Sequence, residues 1–428
     1  MKQIKAVLVG AGNRGCVYCD YSLIKPEELK IVAVVDIREL ARKSACDRYS
    51  IPENMAFSSL DEFLDNRIEC DIVINATMDE MHYETALKII GAGYNMLIEK
   101  PVTAKKSELL EIKALAEEKG VNVFVCHVLR YTPFYKTIKE IINAGKIGTI
   151  LTMEMNEHVW IAHFMDSFVR GKWNSEAKCG SGFLLAKSCH DTDLICWLNN
   201  ATKPVRVMSI GSRSLFTEAM RPKNATDFCY NCPNNDTCLY SAQKIHLEQD
   251  LLPFQTWLDM NKPIDTITKE EKEEYLKWHD YGRCAYKSGG DICDRQTLSV
   301  EFENGSICSF TMVGGTSKAG RNMHIIGTHG EIEGSTEEGK FILRTFDRSG
   351  DRFWYDEEVI DINSKIKNSS NYSGHAGGDY AIMNELCAYL NGDKSSISIT
   401  SIDDSINGHL LVYAAEESRK TKTSVDVK

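Results

Sequence analysis

Gly10-Ala11-Gly12-Asn13-Arg14-Gly15 follows the apolar run Ile4 to Val9 and precedes a second apolar run, Leu29 to Val35, that ends in Asp36. Each glycine has a physical reason. Gly10 permits a tight turn, Gly12 lets the backbone approach a pyrophosphate, and Gly15 lets the following helix lie close to its strand. The amides that open that helix, at Asn13 and Arg14, would hold phosphates. Asp36 stands 21 residues after Gly15, where a carboxylate accepts hydrogen bonds from an adenosine ribose diol and repels a 2′-phosphate. NAD is therefore expected over NADP, with Arg38 close enough to keep NADP open. A glycine-rich turn with no ligand is the plain alternative; the order strand, turn, helix, strand, acid argues against it.

Outward from this turn, the first 126 residues alternate short apolar runs with helical ones, the pattern of a parallel sheet with crossover helices. After the two opening strands come Ile72 to Ala76, Met96 to Ile98 and Val121 to Cys126, each suited to a strand covered on both faces. Leu109, Ile112, Leu115 and Ala116 recur at helical spacing between Ser107 and Lys119, and Gly120 stops that helix. The expectation is a doubly wound Rossmann domain over residues 1–126. Beyond Val128 a helical stretch, Tyr135 to Ala144, gives way to strand-like runs at Ile150 to Glu157, Val205 to Gly211, Leu298 to Glu303, Ser306 to Met312, Met323 to Ile326 and Lys340 to Thr345. Asn304-Gly305 reads as a two-residue hairpin turn. Residues 127–428 are thus expected to form an α+β domain with a mostly antiparallel sheet, broken by an irregular, cysteine-containing insertion at about 220–290.

The composition is that of an ordinary globular chain: 428 residues, 43% hydrophobic and 26% charged. A net charge of -11 with no basic cluster interleaved with aromatics argues against nucleic acid as a partner. Met1-Lys2-Gln3 runs straight into an apolar strand without a charged-then-apolar leader, and no apolar stretch approaches a membrane span, so a cytoplasmic protein without a membrane partner is expected. In that compartment the 15 cysteines read as free thiols or metal ligands rather than a disulfide framework.

Two segments carry chemistry. Glu99-Lys100-Pro101 follows a strand, at the sheet end where open α/β folds bind ligands; the Lys100 ammonium there would lower the cost of an alkoxide during hydride transfer, or simply face solvent in a turn. Gly180-Ser181-Gly182 leads through Phe183, Ala186 and Lys187 to His190. An imidazole titrates near neutrality and is a candidate general base, the alternative being a capping or core histidine. Lys187 would share its helix face.

Taken together, GxGxxG, Asp36, Ala76-Thr77 with His82, Glu99-Lys100-Pro101, Arg130 with Pro133, Gly145-Lys146-Ile147-Gly148 and the glycine-to-His190 segment resemble the glucose-fructose oxidoreductase and inositol dehydrogenase family, Gfo/Idh/MocA, over essentially the whole chain. The resemblance implies an NAD or NADP Rossmann domain, a C-terminal domain with a large open sheet often used for oligomerisation, hence a homo-oligomer (dimer or tetramer), and hydride chemistry on sugars or cyclitols. It makes Lys100 and His190 catalytic and places Thr77, His82, Glu99 and His127 along the cofactor. One position departs from the family pattern: the carboxylate that usually stands four residues before the histidine is Ala186 here, with Lys187 beside it. Lys187 then supplies charge, acts as the base if burial lowers its pKa, or binds a substrate anion. The strings Ser167 to Trp173 and Gly374 to Asp379 resemble a branch typical of bacterial carbohydrate metabolism, and His163, Arg170, Trp173 and His375 are expected at the sugar, with Trp173 in the core or Arg170 on a local carboxylate as alternatives.

Cys229, Cys232 and Cys238, in a C-x2-C-x5-C spacing, suggest a structural zinc with Cys284 as the fourth ligand and His246 as a spare; an iron-sulfur cluster and free thiols are the alternatives.

The sequence thus points to an NAD-dependent oxidoreductase acting on a ring carbinol of a carbohydrate or cyclitol. One alternative is a redox-neutral glycosidase working by oxidation, elimination, hydration and re-reduction. Another is a non-catalytic NAD-binding regulator.

Overall fold

The computed structural model describes residues 2–347, 349, 354–366 and 375–428. Six short strands form the first sheet: β1 (Ile4–Val9), β2 (Leu29–Val35), β3 (Ala56–Phe57), β4 (Ile72–Asn75), β5 (Met96–Ile98) and β6 (Val123–Val125). All run parallel, in the order β3-β2-β1-β4-β5-β6. Both faces are covered, so successive residues Ala6, Val7 and Leu8 are all fully buried and the strand reads as an unbroken apolar run. The strand order reverses between β1 and β4, and the crevice at their carboxyl ends is the binding position of such sheets. The turn after β1 leads into helix α1 (Asn13–Cys19).

The second sheet contains β7 (Ile150–Trp160), β8 (Pro204–Ser212), β9 (Arg295–Phe302), β10 (Ile307–Thr316), β11 (Asn322–Gly327), β12 (Gly330–Ser335), β13 (Lys340–Asp347), β14 (Trp354–Asp361) and β15 (Val425–Asp426). Their order is β14-β13-β12-β11-β7-β10-β9-β8-β15, antiparallel throughout except where β7 and β10 run parallel. Along β9, Gln296, Leu298, Val300 and Phe302 point inward while Arg295, Thr297 and Ser299 face out, the alternation of a sheet covered on one side. Helices α2 (Phe183–Leu198) and α4 (Ile402–Thr421) contribute to the core beneath it, with α3 (Gly378–Leu390) between them in the chain. Ser401 caps α4 by accepting from the Asp404 amide, with Asp403 and Asp404 in its first turn and Arg419 and Lys420 in its last.

One expectation needs correction. Between β9 and β10, Phe302 N donates to Ser306 O, so the hairpin closes over a three-residue loop, Glu303-Asn304-Gly305, in which Gly305, at φ +84°, takes the left-handed position. Asn304 instead turns its side chain back to accept from Ser306. The last quarter of the chain also packs against the N-terminal sheet. The Val125 amide donates to Thr400 O at 2.8 Å, and Ile382, Met383, Leu386 and Cys387 of α3 share a core with Ile4, Leu8, Ile31 and Phe124. Residues 213–294, between β8 and β9, are short helical turns around a small core of Trp257, Ile267, Tyr275, Leu276 and Tyr281. No described helix is long and apolar enough to cross a membrane.

Candidate active site

The glycine turn has the close backbone approaches that its spacing implied at Gly10 and Gly15. A Cβ on Gly10 would stand 2.5 Å from Ala76 O, so the ends of β1 and β4 touch there. A Cβ on Gly15 would meet Gly10 O at 2.3 Å, which is how tightly α1 sits on its strand, whereas one on Gly12 would meet nothing within 4 Å. The open space at Gly12, directly before the helix amides of Asn13 and Arg14 with no side-chain cap, fits a pyrophosphate. The nearly buried Asp36 accepts from Ala11 N at 2.8 Å and Arg38 N at 2.9 Å, while Arg38 Nε lies 3.2 Å from its carboxylate and Arg42 donates to its carbonyl. A ribose diol would take up the carboxylate; the two guanidiniums are the groups a 2′-phosphate would meet.

Arg14 carries more than an amide. Its guanidinium donates to Glu99 Oε1 at 2.9 Å and to both oxygens of Asp379 at 2.7 and 3.2 Å, joining the turn to the start of α3. Asp379 also holds His375, whose Nδ1 lies 3.1 Å from Oδ2; the neighbouring Gly374 lies outside the described residues. Glu99 further accepts from Tyr18 OH and Lys100 N. Burial alone would raise its pKa, but Arg14 and Lys100 bring it below the usual carboxylate range.

Lys100 follows β5 and precedes a cis bond to Pro101; its ammonium donates to Ala186 O at 3.1 Å, one turn before His190 on α2. This contact places the lysine beside the Lys187 and His190 segment. His190 is buried, its Nδ1 has no hydrogen-bond partner among the described residues, and its ring lies 5.7 Å from His127 and 6.0 Å from His375. Burial first, then the charge of Lys100, pushes it well below the ordinary histidine value, so it is neutral and able to accept a proton. His127 is depressed for the same first reason; among the described residues neither ring nitrogen has a hydrogen-bond partner, and Nε2 lies 3.7 Å from Asp193 Oδ1.

Lys187 points into the same region, 3.3 Å from Glu157 Oε1 on β7. Arg321 Nε in turn lies 2.8 Å from Glu157 Oε2 and 2.7 Å from Asp191 Oδ1. Glu157 and Arg321 escaped the sequence reading. A signal for the first existed: Met153, Met155, Glu157 and Val159 all occupy the inward register of β7, and a carboxylate in that register must have a partner. Arg321 has no such signal, because its place depends on the pairing of β11 with β7.

The remaining expected residues divide. His163 stacks on Phe168 at 6.0 Å, and after burial the charges of Lys187 and Lys100 are what depress it, so it belongs to the cleft. Trp173 closes the rim: its Nε1 donates to Asp79 Oδ2 at 2.9 Å on the loop after β4, with the Lys172 ammonium 4.3 Å from its ring. Thr77 stands on that loop with its hydroxyl on Asn75. His82 is turned inward instead of toward a cofactor, its two ring nitrogens on Pro101 O at 2.7 Å and Thr77 O at 3.1 Å, and it ties the β4 and β5 loops together. Arg170 is likewise removed from the sugar set: it is buried against the insertion, donating to the carbonyls of Arg283 and Tyr240 and lying 3.8 Å from Cys229 Sγ. The zinc expectation also needs correction. Cys229, Cys232, Cys238 and Cys284 do line one small cavity, yet among the described residues no three His, Cys, Asp or Glu side chains stand where they could hold a metal ion, and the thiols are free. His246 is occupied elsewhere, on Thr256 Oγ1 at 3.2 Å.

Comparison with known proteins places the chain in a family. Residues 4–127 match the model of an oxidoreductase family with an NAD-binding Rossmann fold, and residues 139–427 match the C-terminal alpha/beta domain of that family. YteT of Bacillus subtilis (strain 168), named as an oxidoreductase, is 24% identical over 74% of this chain and 72% of its own length. The scyllo-inositol 2-dehydrogenase (NADP(+)) IolW of the same organism is 27% identical over 49% of this chain, which spans 56% of that protein. Among solved structures, a levoglucosan dehydrogenase in complex with NADH and levoglucosan superposes with a TM-score of 0.70 at 17% identity, covering 99% of each chain. The WlbA dehydrogenase of Chromobacterium violaceum, in complex with NADH and UDP-GlcNAcA, gives 0.67 at 16% identity over 100% of this chain and 97% of the other. At such identities these structures share the fold. The two matched family models together span most of the sequence, and the chain belongs to the Gfo/Idh/MocA oxidoreductases.

Proposed function

We infer that the protein oxidises a ring carbinol of a sugar, sugar derivative or cyclitol with NAD as the acceptor. The observation that carries this reading is the Lys100 ammonium resting on the Ala186 carbonyl, one helical turn before an unpartnered, neutral His190, at the carboxyl ends of the strands that flank the open glycine turn. Gly12, the α1 amides and Asp36 would hold the dinucleotide, which when bound supplies the hydride acceptor. Lys100 donates toward the carbinol oxygen and stabilises the charge that develops there. His190 takes the hydroxyl proton, for which its neutral state suits it. Lys187 adds a second cation, while His163, His375 and Trp173 offer polar edges and an aromatic face to the rest of the ring.

On this reading residues 1–126 form the dinucleotide unit and 127–428 the substrate unit. The protein works in the cytoplasm, where its free thiols persist. Copies associate through the outer face of the second sheet, where Ile210, Phe346 and Val359 are exposed. The test is NAD reduction across a panel of sugars, inositols and aryl glycosides. Stoichiometric NADH with at least one compound supports the reading. Release of an aglycone with no accumulated NADH supports the redox-neutral glycosidase instead.

A further inference from the structure

We propose that Glu157 is a positioning residue for this reaction: from the inward face of β7 it holds the Lys187 ammonium in the cleft as a charged donor. The inference rests on the carbinol reading for its meaning but not for its test.

Four residues before His190 stands Ala186, whose carbonyl, not its side chain, meets Lys100. Glu157 reaches from the inward face of β7 to within 3.3 Å of Lys187 Nζ, and its other oxygen lies 2.8 Å from Arg321 Nε. Arg321 is shared with Asp191, so Lys187, Glu157, Arg321 and Asp191 form a chain of alternating charge that joins α2, β7 and the residue before β11. The groups facing Lys187 are Glu157 from β7, Asp191 from its own helix, Arg321 at the edge of β11 and Lys100 from the loop after β5; His163 and His375 sense its charge in turn.

The consequence is physical. An ammonium has three donors, and Glu157 engages one, fixing the head while leaving donors for a substrate hydroxyl. Lys187 is 18% exposed, enough to reach a ligand but too little for water to solvate it fully. Beside Lys100 and Arg321, an ammonium this buried stays charged only with a carboxylate next to it. Burial and the nearby Arg321 and Lys100 do lower the Lys187 pKa, and Glu157 opposes them. Glu157 is therefore the larger of the two carboxylate influences, ahead of Asp191, that keep Lys187 a cation able to donate to the substrate. The proton of the reacting hydroxyl then goes to His190.

Competitive acetylation tests this without any substrate, because acetic anhydride reacts with neutral amines and peptide mass spectrometry reports each lysine separately. In the full chain near neutral pH, Glu157→Gln is expected to raise Lys187 labelling by about tenfold, the equivalent of one pKa unit, with Lys100 as the internal reference. Glu157→Asp, which keeps the charge, is expected to stay within about threefold of the parent while lowering kcat and leaving the KM for NAD unchanged. Unchanged Lys187 labelling in a folded E157Q protein that still binds NAD overturns the proposal. Should E157Q not fold, parental labelling together with parental kcat in E157D overturns it equally. A labelling shift without turnover on any compound would leave Glu157's hold on Lys187 in place and remove the carbinol reading.

Discussion

His190 sets the sharpest expectation at the scale of single residues. Its neutral state comes from burial and the Lys100 charge, so the base form persists to lower pH than for a free imidazole. The acidic limb of kcat/KM is accordingly expected below about pH 6.5, and a limb at or above that value would contradict the assignment. His190→Asn should lower kcat by roughly a hundredfold or more, with NAD affinity nearly unchanged in calorimetry. The same depression has a stability sign. His127, His163, His190 and His409 all have folded pKa values below the unfolded one, so the stability they contribute is present above about pH 6.5 and is lost as the pH falls below it. A melting temperature that drops between about pH 7 and 5.5 checks this, read against a His409→Asn variant in which the drop is smaller. The glycine turn and Asp36 stood out in the sequence through their spacing, whereas Lys100 and His190 stood out through their places after a strand and before an apolar helix and through the family resemblance. His82 and Arg170 were misplaced because their partners, Pro101 O and the carbonyls of Arg283 and Tyr240, are backbone atoms that only the folded chain brings near.

Among the elements, the turn from β1 into α1 separates packing from binding. Gly15→Ala forces a Cβ to within 2.3 Å of Gly10 O and is expected to cost several kcal/mol, on the order of other overpacked sites, with NAD binding lost through the fold. Gly12→Ala meets nothing within 4 Å in the protein, so its melting temperature should be close to the parent's while NAD affinity falls by about tenfold or more. Thermal unfolding and calorimetry of the two variants distinguish these outcomes, and equal effects on both properties in both variants would contradict the roles given to the glycines. Periodicity exposed most of the elements, since buried parallel strands and one-sided antiparallel strands have different patterns. β12 was missed: Gly330 and Gly334 dilute its apolar content, and a Cβ at either would crowd the backbone of β13. The β9–β10 turn was misread by one residue because Asn304-Gly305 suits both a two-residue and a three-residue loop; the position of Gly305 in the left-handed region decides between them.

Over the whole molecule, the N-terminal sheet depends on the last quarter of the chain. Thr400 pairs with β6, α3 fills the core beneath β1, and Asp379 holds the Arg14 guanidinium of the glycine turn. A single cooperative calorimetric transition is therefore expected, and two separated transitions would contradict the shared core. This closure was not legible, because nothing in the local pattern of residues 378–400 states which sheet they return to. It also brings His375 and Arg14 to the same cleft as Lys100 and His190, so the dinucleotide turn and the proposed chemistry are parts of one network. The most direct test of that claim is a paired experiment on Lys100→Met: NAD binding by calorimetry and NADH formation with whichever carbohydrate or cyclitol the parent oxidises. The account predicts parental NAD affinity with NADH formation reduced by roughly a hundredfold or more; a Lys100→Met protein that still reduces NAD at near the parental rate would contradict it.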